Sequence, residues 1–180
     1  MKLLCLDFIN SRWYLTHKPY HDPLDQPDWL AQFCAAWVLP AVTPSGGELD
    51  DLKQFREDLF ELFLGLCTGQ SVKDSRIAWL NEILEETRPY RRLVHREGRY
   101  DLQTCHDTDD LAWVKYQIAM SAAELLAQRP LERLKKCENP ACDWIFYDDS
   151  KSHARKWCDN KCASLMKVRK YRARKKAPEQ

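Results

Sequence analysis

Apolar positions along this chain follow two periods. From Glu48 to about Cys67, Leu49, Leu52, Phe55, Leu59, Leu62, Phe63 and Leu66 recur every three or four residues, the stripe of an amphipathic helix. Gly69 fits its C-terminal cap. Ser71 is placed to cap the next helix, with Ile77, Leu80, Ile83 and Leu84 inward and an end before Pro89. The period then shortens. Arg91 to Arg96 and Tyr100 to Cys105 read as short strands around Glu97-Gly98, which predicts a hairpin. Thr108 or Asp109 caps a long helix carrying Leu111, Val114, Ile118, Ala122 and Leu125 on one face. Upstream, Pro27-Asp28 opens a helix to about Leu39, with Trp29, Phe33 and Trp37 or Ala36 on one side, and Pro40 to Gly47 is a loop. The apolar run Leu3 to Ile9 is too short for its period to separate strand from helix, and residues 12–28, with Pro19, Pro23 and Pro27, are irregular.

Beyond Pro130 a short helical turn, Leu131 to Lys136, leads into Cys137. Trp144 to Tyr147 reads as a strand, Asp148 to Ser150 as a turn, and the chain returns through Arg155-Lys156-Trp157. A last helix begins at Cys158. Leu165, Met166 and Val168 can face the preceding module; after Val168, basic residues cover every side as far as Lys176. The expected fold is α+β: a mainly helical N-terminal domain, residues 1–128, with a small antiparallel hairpin, followed over 129–180 by a treble-clef-like module and a basic helix.

Composition narrows the class. A chain of 180 residues with 44% hydrophobic and 11% aromatic positions folds without disulfides. Mean hydropathy is −0.60, and no apolar run approaches the roughly 18 residues of a membrane span. An acid at Asp7 argues against a signal peptide, so a cytoplasmic location is expected. No glycine-rich phosphate loop is present.

Charge separates the two parts. The net is +1, but residues 1–128 hold 13 Lys/Arg against 20 Asp/Glu, and residues 129–180 hold 15 against 7. Lys151 to Lys176 contains 11 basic residues and one acid, Asp159. That asymmetry points to a polyanionic partner at the C-terminal end. The basic residues offered to it are Arg155, Lys156, Lys161, Lys167, Arg169, Lys170, Arg172, Arg174, Lys175 and Lys176. An acidic domain folded over this helix would mask it.

Eight cysteines fall into two groups. Cys5, Cys34, Cys67 and Cys105 stand alone and read as small buried hydrophobes. Cys137 and Cys142 form one close pair, Cys158 and Cys162 another. Without a secretion signal, two such pairs read as a metal site. Pro140 bends the first pair toward one point, and the second pair shares one helix face. Four thiolates suit one tetrahedral zinc with no open position, which makes the site structural. Lys136, Arg155, Lys156 and Lys161 flank it and offset its negative charge.

For catalysis the sequence offers little. His17, His21, His95, His106 and His153 are scattered, and Cys105-His106-Asp107 are neighbours that point different ways, so no enzyme is expected. Asp7, Asn10, Arg12 and His17, with Trp13 and Tyr14, are candidates to line a small-molecule effector pocket.

Residues 137–176 resemble the CGNR zinc finger in the paired cysteines, the aromatic–aspartate run from Trp144 to Ser150, the Arg155-Lys156-Trp157-Cys158 run and the basic tail. Leu4-Cys5-Leu6-Asp7-Phe8-Ile9-Asn10-Ser11 and Leu80-Asn81-Glu82-Ile83-Leu84 are similar to the ABATE domain that precedes this finger. One departure is plain: Cys162 is followed by Ala163-Ser164-Leu165 where the family carries Gly-Asn-Arg. The resemblance implies a bacterial stress-induced regulator of transcription that binds DNA through the finger and its helix. RNA binding and a protein-interaction role for the zinc module stay open as alternatives, as does a homodimer.

Overall fold

The computed structural model describes residues 2–18, 20–26 and 28–176, the side chain of Lys176 excepted. The helix opening assigned to Pro27, the residue Pro19 and the contact assigned to Lys176 lie outside the described residues. The apolar run at the start resolves as a helix, α1 (Leu4–Ile9), which continues as a 3₁₀ turn over Asn10–Leu15. It packs against α3 (Gly46–Cys67) and α5 (Asp110–Gln128), so its residues are buried all round and carry no period. α2 (Trp29–Ala36) ends earlier than the pattern suggests; its Trp29 stacks on Phe33 at 5.3 Å.

The stripes of α3 and α5 hold as expected. Leu52, Phe55, Leu59 and Phe63 meet Val114, Ile118, Ala122 and Leu125 in one apolar core. Ser45 N–H donates to the Glu48 carboxylate at 2.7 Å and starts α3 two residues before Glu48. Asp109 accepts from Ala112 N–H and caps α5.

α4 (Asp74–Thr87) departs from expectation at its start. Lys73, not Ser71, holds the N-cap position, and Ile77 is exposed while Trp79 and Leu80 turn inward. Arg76, in the first turn, reaches back to Asp58 and Glu61 on α3.

Arg56 is fully buried in the middle of α3. Its Nη1 and Nη2 donate to the two oxygens of Asp22 at 2.7 and 2.5 Å, and Nη1 also reaches Ser11 Oγ at 3.2 Å. Burial alone would raise the Asp22 carboxyl; the Arg56 guanidinium and the Leu24 N–H hold it below the usual carboxylate range. This pair pins the irregular segment, where the 3₁₀ turn Pro23–Asp25 lies, to the core.

β1 (Tyr90–Arg96) and β2 (Arg99–Cys105) form the expected antiparallel hairpin. Glu97 and Gly98 both have positive φ, 50° and 76°, the two-residue turn that matches strand twist.

The second hairpin corrects two expectations. Leu131–Arg133 is a 3₁₀ turn, but Leu134–Lys136 is a strand, β3, rather than its helical continuation. It pairs with β4 (Ile145–Tyr147), so the partner of β4 precedes the first cysteine pair instead of following Ser150. The returning segment is held by single bonds instead, such as Glu138 N–H to Lys156 O at 2.9 Å. Leu134, Ile145 and Tyr147 belong to the same core as α1, α3 and α5. α6 (Asn160–Lys176) follows the second cysteine pair.

Candidate metal centre and nucleic-acid interface

The metal site grows from the β3–β4 turn. Cys137 N–H bonds Trp144 O across the base of that turn, and Cys142 N–H bonds Asn139 O within it, so the chain doubles back and both sulfurs face inward. Cys158 and Cys162 lie at the start of α6, where Asp159 accepts from Cys162 N–H at 2.8 Å. The four sulfurs all lie within 4.8 Å of one another. Cys142 to Cys158 is 3.8 Å and Cys158 to Cys162 is 3.6 Å. A tetrahedron of 2.3 Å zinc–sulfur bonds has edges of about 3.8 Å, whereas a disulfide needs about 2.05 Å. The donor set therefore fits one structural zinc, held by Cys137, Cys142, Cys158 and Cys162.

Electrostatics inside the cluster point the same way. The contact with the Cys158 sulfur pulls the Cys142 thiol below its ordinary range, while burial pushes Cys162 up. Thiols must lose their protons to bind a metal, so a cation is what such a buried cluster accommodates. Two neighbours tune it. Cys158 N–H points at Cys137 Sγ at 3.5 Å, and Asn139 Nδ2 at Cys162 Sγ at 3.3 Å. Asn139 Oδ1 in turn accepts from Arg169 Nη1 at 3.1 Å. Spacing marks Asn139-Pro140 as the turn between two ligands; the bond from Asn139 to a cysteine sulfur has no signal in the sequence.

The flanking bases mostly serve elsewhere. Lys136 pairs with Asp143 and Lys156 with Glu138. Arg155 lies over the Phe146 ring and donates to the carbonyls of Trp157 and Cys158, bracing the approach to α6. Lys161 lies on the wall of a cavity of about 410 Å³ beside Cys142, Cys158 and Cys162. Asp148, fully buried, collects Lys135 Nζ, Ser150 Oγ and the N–H groups of Ser150 and Arg155. Burial would raise its carboxyl, but these donors, Lys135 first, hold it well below the usual carboxylate range.

Past Met166, α6 runs outward, touching the module again through Arg169 on Asn139. Every residue from Lys167 to Lys175 is exposed, Val168 included, and so is Leu165. Val168 therefore does not face the metal module as expected, whereas Leu165, though half exposed, lines the cavity beside Cys142, Cys158 and Cys162. Among the described residues no carboxylate pairs with Lys167, Lys170, Arg172 or Arg174. Lys175 lies over the Tyr171 ring. The acidic domain does not cover this face.

The four effector candidates do not share one cavity: Asp7 and Asn10 line a cavity of about 380 Å³ with Trp13, while His17 lines another. Asp7 accepts from Trp37 Nε1 at 2.8 Å. Asn10 is buried, its Nδ2 donating to Ile145 O at 2.8 Å and its Oδ1 accepting from Ile145 N–H at 2.9 Å. Arg12 lies over Phe60 and pairs with Glu57. His17 lines the 410 Å³ cavity with Trp13, Trp144 and Leu165, beside three of the cysteines. Of Cys105-His106-Asp107, His106 stacks on Trp113 at 4.3 Å and Asp107 accepts from Tyr90 OH.

A family model for ABATE, described as "putative stress-induced transcription regulator", matches residues 3–129. The chain belongs to the ABATE family. Residues 133–175 match the CGNR zinc finger, which takes in all four cysteines and nearly all of α6. The ABATE match covers α1 to α5, so the Asn10–Ile145 bonds tie the ABATE domain to the finger. No match is found in a search of curated proteins. No helix among the described residues is long and apolar enough to cross a membrane.

Proposed function

We propose that this ABATE–CGNR chain is a DNA-binding regulator of transcription, acting in the cytoplasm as a binding protein and not as an enzyme. Zinc fixes the start of α6, and α6 lays its basic length on the phosphate backbone. The observation that carries this reading is the run Lys167 to Lys175, exposed on every side and without carboxylate partners among the described residues. Such a segment repels itself in water, and phosphates relieve that repulsion while releasing counterions. Arginine adds bidentate contact to guanine in the major groove. Four thiolates around zinc leave no coordination position for substrate, which supports a structural metal. The cavity holding His17, Trp13 and Trp144 touches both the cysteines and the first turns of α6. It is the place where an apolar effector alters the aim of that helix.

The test pairs metal analysis of the purified chain with titration of duplex DNA and structured RNA across salt. One equivalent of zinc is expected. With about five phosphate contacts, log K falls against log salt with a slope near −4 to −5 for DNA. A preference for RNA, or binding indifferent to salt, overturns the reading.

A further inference from the structure

The charge count over residues 1–128 conceals one cationic element. Residues 88–105 carry Arg88, Arg91, Arg92, Arg96 and Arg99 against Glu97 and Asp101, while the rest of that domain holds 8 basic residues against 18 acidic. This stretch is the β1–β2 hairpin, and none of its strand residues is buried. Leu93, Leu102 and Tyr100 are 64%, 57% and 74% exposed. A two-stranded hairpin with nothing packed on it is marginal in water.

The register sorts its side chains. Arg91, Leu93 and His95 share one face with Thr104, Leu102 and Tyr100, where His95 stacks on Tyr100 at 4.7 Å. Arg92, Val94 and Arg96 share the other with Gln103, Asp101 and Arg99. At the tip of that second face Arg96 and Arg99 stand directly opposite each other. Like charges in opposed positions weaken a hairpin. Nothing in the fold offsets the pair: no carboxylate among the described residues reaches Arg92, Arg96 or Arg99, and Asp101 accepts from Leu102 N–H instead. Arg92 meets the hydroxyl and the ring of Tyr90.

We propose that the hairpin is a second DNA-contacting arm, in which Arg96 and Arg99, with Arg92 behind them, grip backbone phosphates. The proposal rests on the DNA-binding reading above and adds a contact from the other end of the sequence. An anion seated between two guanidinium groups turns their repulsion into attraction, and the planar fork of arginine matches phosphate oxygens in pairs. A second copy of the chain fits less well. The cationic face repels its own copy.

The experiment titrates the full-length zinc-loaded chain with a random-sequence duplex over a series of salt concentrations, with light scattering on the same samples. Arg96→Ala/Arg99→Ala is expected to flatten the salt slope by about 2 and to weaken binding about tenfold at low salt. Arg96→Lys/Arg99→Lys is expected to keep the slope. The reference variant, Lys170→Ala/Arg172→Ala/Arg174→Ala on α6, flattens it by about 3 if each residue meets a phosphate. If the α6 variant loses slope and the hairpin variant keeps it, the arm is not a DNA contact although the DNA reading stands. If the wild type shows no salt-dependent binding, the DNA reading itself fails and the arm with it. If the hairpin variant changes only the mass in solution, the surface belongs to a second copy and the proposal is overturned.

Discussion

The two hairpins share a topology and little else. β1–β2 has seven residues in each strand, closes on a two-residue turn, and buries none of its strand residues. β3–β4 has three residues in each strand, yet all of β4 and Leu134 are buried. The long hairpin is held by its own ladder. The short one is held from outside, by the core, by the Asn10 side chain, by Asp148 and by four cysteines at its tip and beyond. A ribbon too short to survive alone thus becomes the most fixed one in the molecule, and from it α6 is aimed. If that contrast is right, removing outside supports should collapse the short hairpin and leave the long one untouched.

Zinc removal is the largest such perturbation. Binding free energies of structural zinc are on the order of 10 kcal/mol, and here they hold a turn and a helix start that have little apolar packing of their own. A strong chelator is expected to melt residues 137–162 and α6 while α1 to α5 stay helical. Hydrogen exchange read segment by segment checks it: protection should vanish around the cysteines and on α6, and persist on α3 and α5. Loss of protection across the whole chain at once would mean that finger and core form a single cooperative unit.

The Asn10 clasp comes next. Asn10→Ala leaves both the N–H and the C=O of Ile145 without partners inside the core. Each orphaned group costs about 1–3 kcal/mol, so a loss of about 2–6 kcal/mol is expected in urea unfolding. Zinc affinity should fall along with it, because β4 leads directly from the metal turn. Exchange on β1 and β2 should not change. An Asn10→Ala chain with undiminished zinc affinity would show that the clasp serves the core alone.

The sequence discloses these supports unevenly. Four cysteines, the stripes of α3 and α5 and the turn at Glu97-Gly98 are local signals, and each was legible because neighbours in sequence are neighbours in space. Asn10 and Ile145 lie 135 positions apart, and an asparagine next to a serine looks like any capping residue. Arg56 occupies a helix position that pattern alone assigns to solvent; its burial depends on Asp22, 34 residues earlier in an irregular segment. β3 and β4 are too short to show alternation, and β4 is buried on both faces, so Leu131 to Lys136 read as a turn of helix after Pro130. The cationic hairpin vanished into a domain-wide charge sum. Among the basic residues, Arg155 and Arg169 have structural partners that spacing gives no means to foresee.

The smallest expected effect falls on the long hairpin. Gly98 sits at φ 76°, and a Cβ built there meets nothing within 4 Å, so Gly98→Ala adds strain without a clash. The left-handed region costs a residue with Cβ roughly 1–2 kcal/mol. In most hairpins that cost reaches the whole fold. Here no strand residue of β1–β2 is buried, so it should stay local: the unfolding free energy from urea titration changes by less than about 0.5 kcal/mol, within the range of a surface substitution. Amide exchange on β1 and β2 should quicken about tenfold, the equivalent of about 1.4 kcal/mol of local opening. A shift of the full strain in global stability would mean that the arm is coupled to the core, and the contrast between the two hairpins would fail from its exposed side.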